Sequence, residues 1–208
     1  MALNTLLTII QQGLCYGLVA MGVYISYKVL DFPDLTVDGS FPLGSVVCVM
    51  LISSGVHFTL ALIIAFLAGA VAGAITGLLH VKLKISNLLS GILTMTALIS
   101  INLNLGTVDG TLRVFINYGN KTTLFNNGFT NLFSNNLDTL ANIIIFVILI
   151  AVFKILFDLF LKTKTGFMLK AIGNNEQMGT SLGVDTGNYK ILGLSLANAM
   201  VALAGGVY

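Results

Sequence analysis

The sequence predicts an all-α polytopic membrane protein, on three observations. Charged residues make up 9% of the 208 residues, against roughly 25% in ordinary soluble domains. Mean hydropathy is +0.96, and the apolar residues gather into runs long enough to cross a bilayer as helices. Small residues also recur at helical spacing within those runs, the mark of helices packed against one another in lipid.

The elements follow from the ~20 apolar residues that a spanning helix needs. Residues 5–29, "TLLTIIQQGLCYGLVAMGVYISYKV", form the first candidate. They lack a charged leader and run well beyond the apolar core of a signal peptide, so they read as a retained helix. A short run follows at 41–56, then full-length runs at 58–80, 86–106, 138–161 and from about 191 to Tyr208. That makes about six spans, one of them short or broken. In "ALIIAFLAGAVAGAITG", Ala61, Ala65, Gly69, Gly73 and Gly77 form a stripe that admits a neighbouring backbone, and Gly13 and Gly17 repeat the spacing. Thr96, Ser100 and Asn104 stand at i, i+4 and i+8 on the fourth span, 86–106. Such a row either hydrogen-bonds another helix or lines a pathway.

Basic residues set the orientation, because short cytoplasmic loops collect them. Lys82 and Lys84 precede one span, and Lys162, Lys164, Lys170 and Lys190 follow another, two spans later. Both clusters then face the cytoplasm, and the Asn-, Gly- and Thr-rich 107–137 faces outward. The net charge of +2 offers no nucleic-acid surface. Neither a P-loop, a nucleophile elbow nor an H-E-x-x-H motif appears, so the chain itself is not expected to be an enzyme. Cys15 and Cys48 sit in apolar runs as buried hydrophobes, and no cluster has metal-ligand spacing, so neither metal nor cofactor is expected.

One stretch breaks the pattern. "LDFPDLTVDGSFPLG" (30–44) holds Asp31, Asp34 and Asp38, three of the eight carboxylates, together with both prolines, Pro33 and Pro42. The short run 41–56, sixteen residues beginning within this stretch, reaches roughly 24 Å, short of the ~30 Å hydrocarbon core. One reading is a cytoplasmic loop, its aspartates serving as turn residues and caps. The other draws the acidic stretch to membrane depth, where irregular backbone survives only if protein buries it or a wet cavity adjoins it. Pro33 disfavours helix at Phe32, Gly39 permits an unusual backbone angle, and Ser40 or Asp38 is expected to cap a helix starting near Phe41. On this second reading Asp31, Phe32, Pro33, Asp34, Thr36, Asp38, Gly39, Ser40 and Phe41 line a solute route, with Thr96, Ser100 and Asn104. Asp38 lies nearest the break.

The polar segment 162–190 predicts two short helices. The first ends at Gly173 or Asn174 in a left-handed cap. Asn174 and Gln177 imitate a capping box for the second, and Gly183 suits its end. The pair either rests on headgroups or docks on a partner.

"YISYKVLDFPDLTVDGSFPLGSVV", "LLSGILTMTALISINL" and the run from "TKTGFMLKAIGNNEQMG" to "ALAGG" resemble the permease subunits of ATP-binding-cassette importers of the branched-chain amino acid and ribose permease superfamily. The subgroup linked to aromatic amino acid uptake is the most similar. The resemblance implies a single transmembrane permease domain over 1–208 in a multi-pass plasma-membrane protein, with 162–190 as a cytoplasmic coupling loop. It assigns Gly166, Lys170, Ala171, Gly173, Asn174, Asn175, Glu176 and Gly183 to contact with a separate ATPase subunit. A second permease subunit, an extracytoplasmic solute-binding protein and membrane lipid complete the implied partners. The solute is expected to be an amino acid, its α-ammonium meeting the acids and its carboxylate the helix start near Ser40. Relatives run on for several more helices, so the chain is expected to be C-terminally truncated relative to them. They also place a basic residue after "INL", where this chain has Asn104. A secondary transporter or channel using Asp31, Asp34 or Asp38 for protons or cations is the rival, and a membrane scaffold without cargo a third reading.

Overall fold

The computed structural model describes residues 2–108, 111–112, 138–181 and 183–208. Helix α1 (Ala2–Tyr24) continues as a π-helical turn, Ile25–Val29, and ends at the acidic stretch. Helices α2 (Val37–Ser53), α3 (Phe58–Leu83) and α4 (Asn87–Leu105) follow, then a two-residue antiparallel ladder pairing Thr107 with Leu112 and Val108 with Thr111. Then come α5 (Asp138–Leu161), the short α6 (Lys164–Asn174) and α7 (Glu176–Ser181), and finally α8 (Thr186–Val207). Among the described residues, four helical segments are long and apolar enough to span a membrane, and α2 is the short apolar helix. This is the predicted all-α polytopic architecture. Most of the 107–137 segment lies outside the described residues.

Helix α8 is the axis of the bundle and its most enclosed span. It packs most extensively on α3, then on α2 and α1. The α3 contact is the predicted stripe. A Cβ on Gly69 would strike Ala202 and the Asn198 carbonyl, one on Gly73 the Leu194 backbone, and one on Gly77 the Ile191 Cα. Ala61 and Ala65 are fully buried on the same face. Helix α8 answers with small residues of its own, so that Gly44 of α2 lies on the Ala202 backbone and Gly205 on the Phe41 carbonyl. Without Cβ atoms at the crossings, backbones approach closely and dispersion replaces the hydrophobic drive that lipid does not supply.

Gly13 and Gly17 do not repeat this. A Cβ on Gly13 would meet nothing within 4 Å, and one on Gly17 only the end of Ile150 at 3.8 Å. The glycine that seats α1 is Gly22, whose added Cβ would fall 2.6 Å from Val201 and 2.7 Å from the Ala197 carbonyl of α8.

These contacts also fix direction. α3 runs antiparallel to α8, with Gly77 by Ile191 and Gly69 by Ala202, while α2 runs parallel to it. Lys82 and Lys84 therefore lie at the same end of the bundle as Lys190, the end from which α6 and α7 hang.

The caps depart from expectation. Helix α2 starts at Val37 rather than near Phe41, so Asp38 stands in its first turn and Ser40 inside it. Neither caps it. The Asp34 carboxylate opens the turn instead, its Oδ1 accepting from the Thr36 N–H at 2.9 Å. Pro42 lies inside the helix, where its missing N–H leaves the Asp38 carbonyl without its in-helix donor. Gly39 is helical, and the left-handed residue of the stretch is Asp31, at φ 52°. Gly39 is bare for packing, since a Cβ there would lie 2.9 Å from Leu98 of α4.

Helix α6 ends without a left-handed cap. Asn175 is extended at φ −157°, and its side chain, rather than that of Asn174, accepts from the Gln177 N–H at 3.0 Å to open α7. Gly183 closes that element at φ 71° as expected.

Candidate functional site

The acidic stretch packs on helices through alternate residues, Leu30, Phe32 and Thr36 being buried and Asp34 half-buried. Leu30 to Thr36 carry the chain from the π-helical turn into α2 while touching α3, α4 and α8. At 1.5 Å per residue its contacts reach roughly 6 Å along α4 (Gly91), 10 Å along α3 (Thr76) and 18 Å along α8 (Asn198), from the lysine-bearing end. Phe32 is buried and meets the His80 ring edge-on at 5.2 Å. His80 is fixed in turn by Nδ1 against the Ile85 carbonyl at 2.8 Å.

Asp34 is the polar centre. Its Oδ2 accepts from Asn198 Nδ2 at 2.6 Å. Asn198, fully buried on α8, also accepts from Ser40 Oγ at 2.7 Å and donates to the Leu194 carbonyl at 3.0 Å. Thr36, equally buried, shares a 2.8 Å hydroxyl contact with Thr76 of α3, which donates to the Ala72 carbonyl. One carboxylate, one amide and three hydroxyls thus hold the break against two helices. Every polar side chain here has a partner, as a low-dielectric interior demands. Asp34 accepts two protein hydrogen bonds, and a carboxylate has room for about four. It is half-buried, with acceptor capacity that no described hydrogen bond uses.

The other candidates lie apart. Asp31, Pro33 and Asp38 are exposed, and Phe41 stacks on Tyr16 at 6.0 Å. Thr96, Ser100 and Asn104 form an exposed row on α4, away from the face that packs inward through Ser90, Thr94, Leu98 and Asn102. The contact from α4 to the break is Asn102, whose Nδ2 donates to the Gly39 carbonyl at 3.0 Å. Asn102, Thr76 and Asn198 were missed because they lie far from the acids in sequence. A lone amide in the otherwise apolar "SLANAMVALAGG" was the available signal for Asn198, since such a group in a membrane helix faces a partner.

Of the coupling candidates, Gly166 is buried and Gly173 partly so, while Lys170, Asn174 and Asn175 are exposed. Ala171 lies between, Glu176 opens α7 and Gly183 closes it. Among the described residues no three His, Cys, Asp or Glu side chains converge as metal ligands.

A family model described as the branched-chain amino acid transport system / permease component matches residues 5–208. The chain belongs to this permease family. It is 40% identical over 203 residues to a tyrosine transport system permease protein of Clostridioides difficile (strain R20291), covering 98% of this chain and 63% of that one. It is 34% identical over 204 residues to a protein of uncharacterised function from Rickettsia prowazekii (strain Madrid E), covering 98% of this chain and 67% of the relative. The permease chain thus spans about two thirds of the length of these relatives. No solved structure matches it. Within this permease sequence, matched residues include both the break and the α6–α7 pair.

Proposed function

We propose that the chain forms the solute route of an ATP-driven amino acid importer in the plasma membrane, with an aromatic amino acid such as tyrosine as cargo. The observation that carries this reading is Asp34, a carboxylate set inside a helix bundle with acceptor capacity to spare. Such a group in a membrane protein marks a pathway for polar solutes. An amino acid offers the α-ammonium that it would receive. Helices α6 and α7 face the cytoplasm, where Lys170, Asn174 and Asn175 contact a separate ATPase subunit. A second permease chain completes the route, and an external solute-binding protein delivers cargo. The tyrosine permease relative supports the cargo class. Thr96, Ser100 and Asn104 give the exposed side of α4 a hydrophilic row suited to a wet route shared with the second chain.

The test is uptake of labelled tyrosine into proteoliposomes holding the permease, its ATPase and its binding protein. Uptake should require ATP hydrolysis and persist when ion gradients are collapsed. Gradient-driven uptake without ATP would contradict the reading.

A further inference from the structure

The short helix α6 is bolted to the break itself. Its inward face is Gly166, Leu169 and Ile172, with both of the larger side chains buried. At its C-terminal end Gly173 lies directly on the Val29 carbonyl, and a Cβ there would also fall 3.0 Å from the Leu30 Cα. Val29 is the last residue of the π-helical turn, and Leu30 is the first of the break. The Leu30 and Leu169 side chains meet over Gly193 of α8, each within about 3 Å of where its Cβ would stand. Two backbone hydrogen bonds continue the turn into the break, from Leu30 N–H to the Ile25 carbonyl at 3.1 Å and from Phe32 N–H to the Ser26 carbonyl at 2.9 Å. Between those bonds sits Asp31 at φ 52°, a left-handed conformation that Asp adopts more readily than most residues with a Cβ.

The break is therefore clamped between α6 and α8. Its first residues pack on α6 through Gly173 and on α8 through Leu30, and its far end is held to α8 by the Asp34–Asn198 hydrogen bond. Gly173 is the contact by which α6 bears on the residues between Leu30 and Asp34. We propose that Gly173 is a positioning residue for transport, through which α6 sets the π-helical turn and Asp31 and thereby the placement of Asp34. Its bareness serves this backbone contact rather than a helix cap. The transport part of this inference rests on the function proposed above, whereas the clamp itself does not.

Amide hydrogen exchange on the purified full-length permease tests the clamp. Gly173→Ala should speed exchange at the Leu30 and Phe32 amides about tenfold, with α8 amides around Asn198 as in the parent. Unchanged exchange at both amides in the folded variant would overturn the proposal. Should Gly173→Ala fail to fold, Leu169→Ala loosens the same contact without adding an atom, and the same two amides decide. In the complete transporter, Gly173→Ala should lower the solute moved per ATP hydrolysed about tenfold. Hydrolysis and uptake falling in equal proportion would mark Gly173 as merely structural and overturn its positioning role. If no ATPase associates with the parent, the proposed importer fails while the exchange result still decides the clamp.

Discussion

The α3–α8 seam and the break before α2 are both packed against α8, yet they hold by opposite means. The seam is made chiefly of absent side chains. Gly69, Gly73 and Gly77 lie on the backbone of Ile191 to Ala202, and a hydroxyl joins the two helices there, Ser195 Oγ donating to the Ala70 carbonyl at 2.7 Å. The break is held by Asp34, Thr36, Ser40, Thr76 and Asn198 through hydrogen bonds of 2.6–2.9 Å, with one residue in a left-handed conformation. A bundle that already has an efficient apolar seam gains little stability from a half-buried carboxylate, whose partial removal from water its hydrogen bonds must offset. The contrast teaches that α8 serves two roles along its length, one stripe for assembly and one amide for the break.

Substitutions that overfill the seam should have the largest effect. Gly73→Leu has to displace the Leu194 backbone and should destabilise the folded permease by about 3 kcal/mol, seen as loss of monodisperse protein in detergent. Leu62→Ile, volume-conserving, should stay close to the parent. Equal yields of both would remove the packing distinction on which the comparison stands.

Next in size is Asn198→Leu. It leaves Ser40 Oγ and Asp34 Oδ2 without their partner, and each orphaned polar group costs about 1–3 kcal/mol. Thermal unfolding of the purified protein should register a clear fall. Asn198→Asp should also destabilise, because it sets a second carboxylate against Asp34. Stability within about 0.5 kcal/mol of the parent for both variants would mean that the amide does not hold the break.

The smallest effect belongs to Gly13→Ala. Open space around Gly13 leaves room for a methyl group, so stability should stay within about 0.5 kcal/mol. A loss as large as that of Gly73→Leu would restore Gly13 to a packing role that this bundle does not give it.

The same contrast explains what was legible in the sequence. The seam was readable because a stripe of small residues depends only on spacing along one helix, and α3 carries it without interruption. The ends of α3, α4 and α5 followed from apolar length, whereas α2 and α8 begin earlier than their apolar runs, at Val37 and Thr186; Gly183 followed from the left-handed angle that closes a short helix. The break was visible as a place, through its three acids and Pro33, but its wiring was not. Which aspartate turns inward depends on Asn198, 164 residues away, and no local pattern carries that information. Proximity to Gly39 favoured Asp38, yet α2 begins four residues before Phe41 and leaves Asp38 as the exposed residue of its first turn. The row Thr96, Ser100 and Asn104 was correctly seen as one face of α4, but Asn102, on another face, makes the contact with Gly39. Gly173 looked like a cap because glycine often is one. Its contact with Val29 is tertiary and leaves no local mark.

The central claim is that Asp34 serves the solute route, whereas the acids beside it do not share its setting. The direct measurement is ATP-dependent tyrosine uptake by the assembled transporter carrying Asp34→Asn or Asp38→Asn, with assembly and ATP hydrolysis followed in parallel. Asn at position 34 keeps one oxygen to accept from Thr36 and sets its Nδ2 against the Asn198 amide, so uptake is compared only in Asp34→Asn transporter that has assembled. Without its charge, uptake should fall at least about tenfold, the effect of losing ~1.4 kcal/mol. Asp38→Asn should leave uptake close to that of the parent. Parental uptake in a fully assembled Asp34→Asn transporter would contradict the account and leave that carboxylate as turn chemistry.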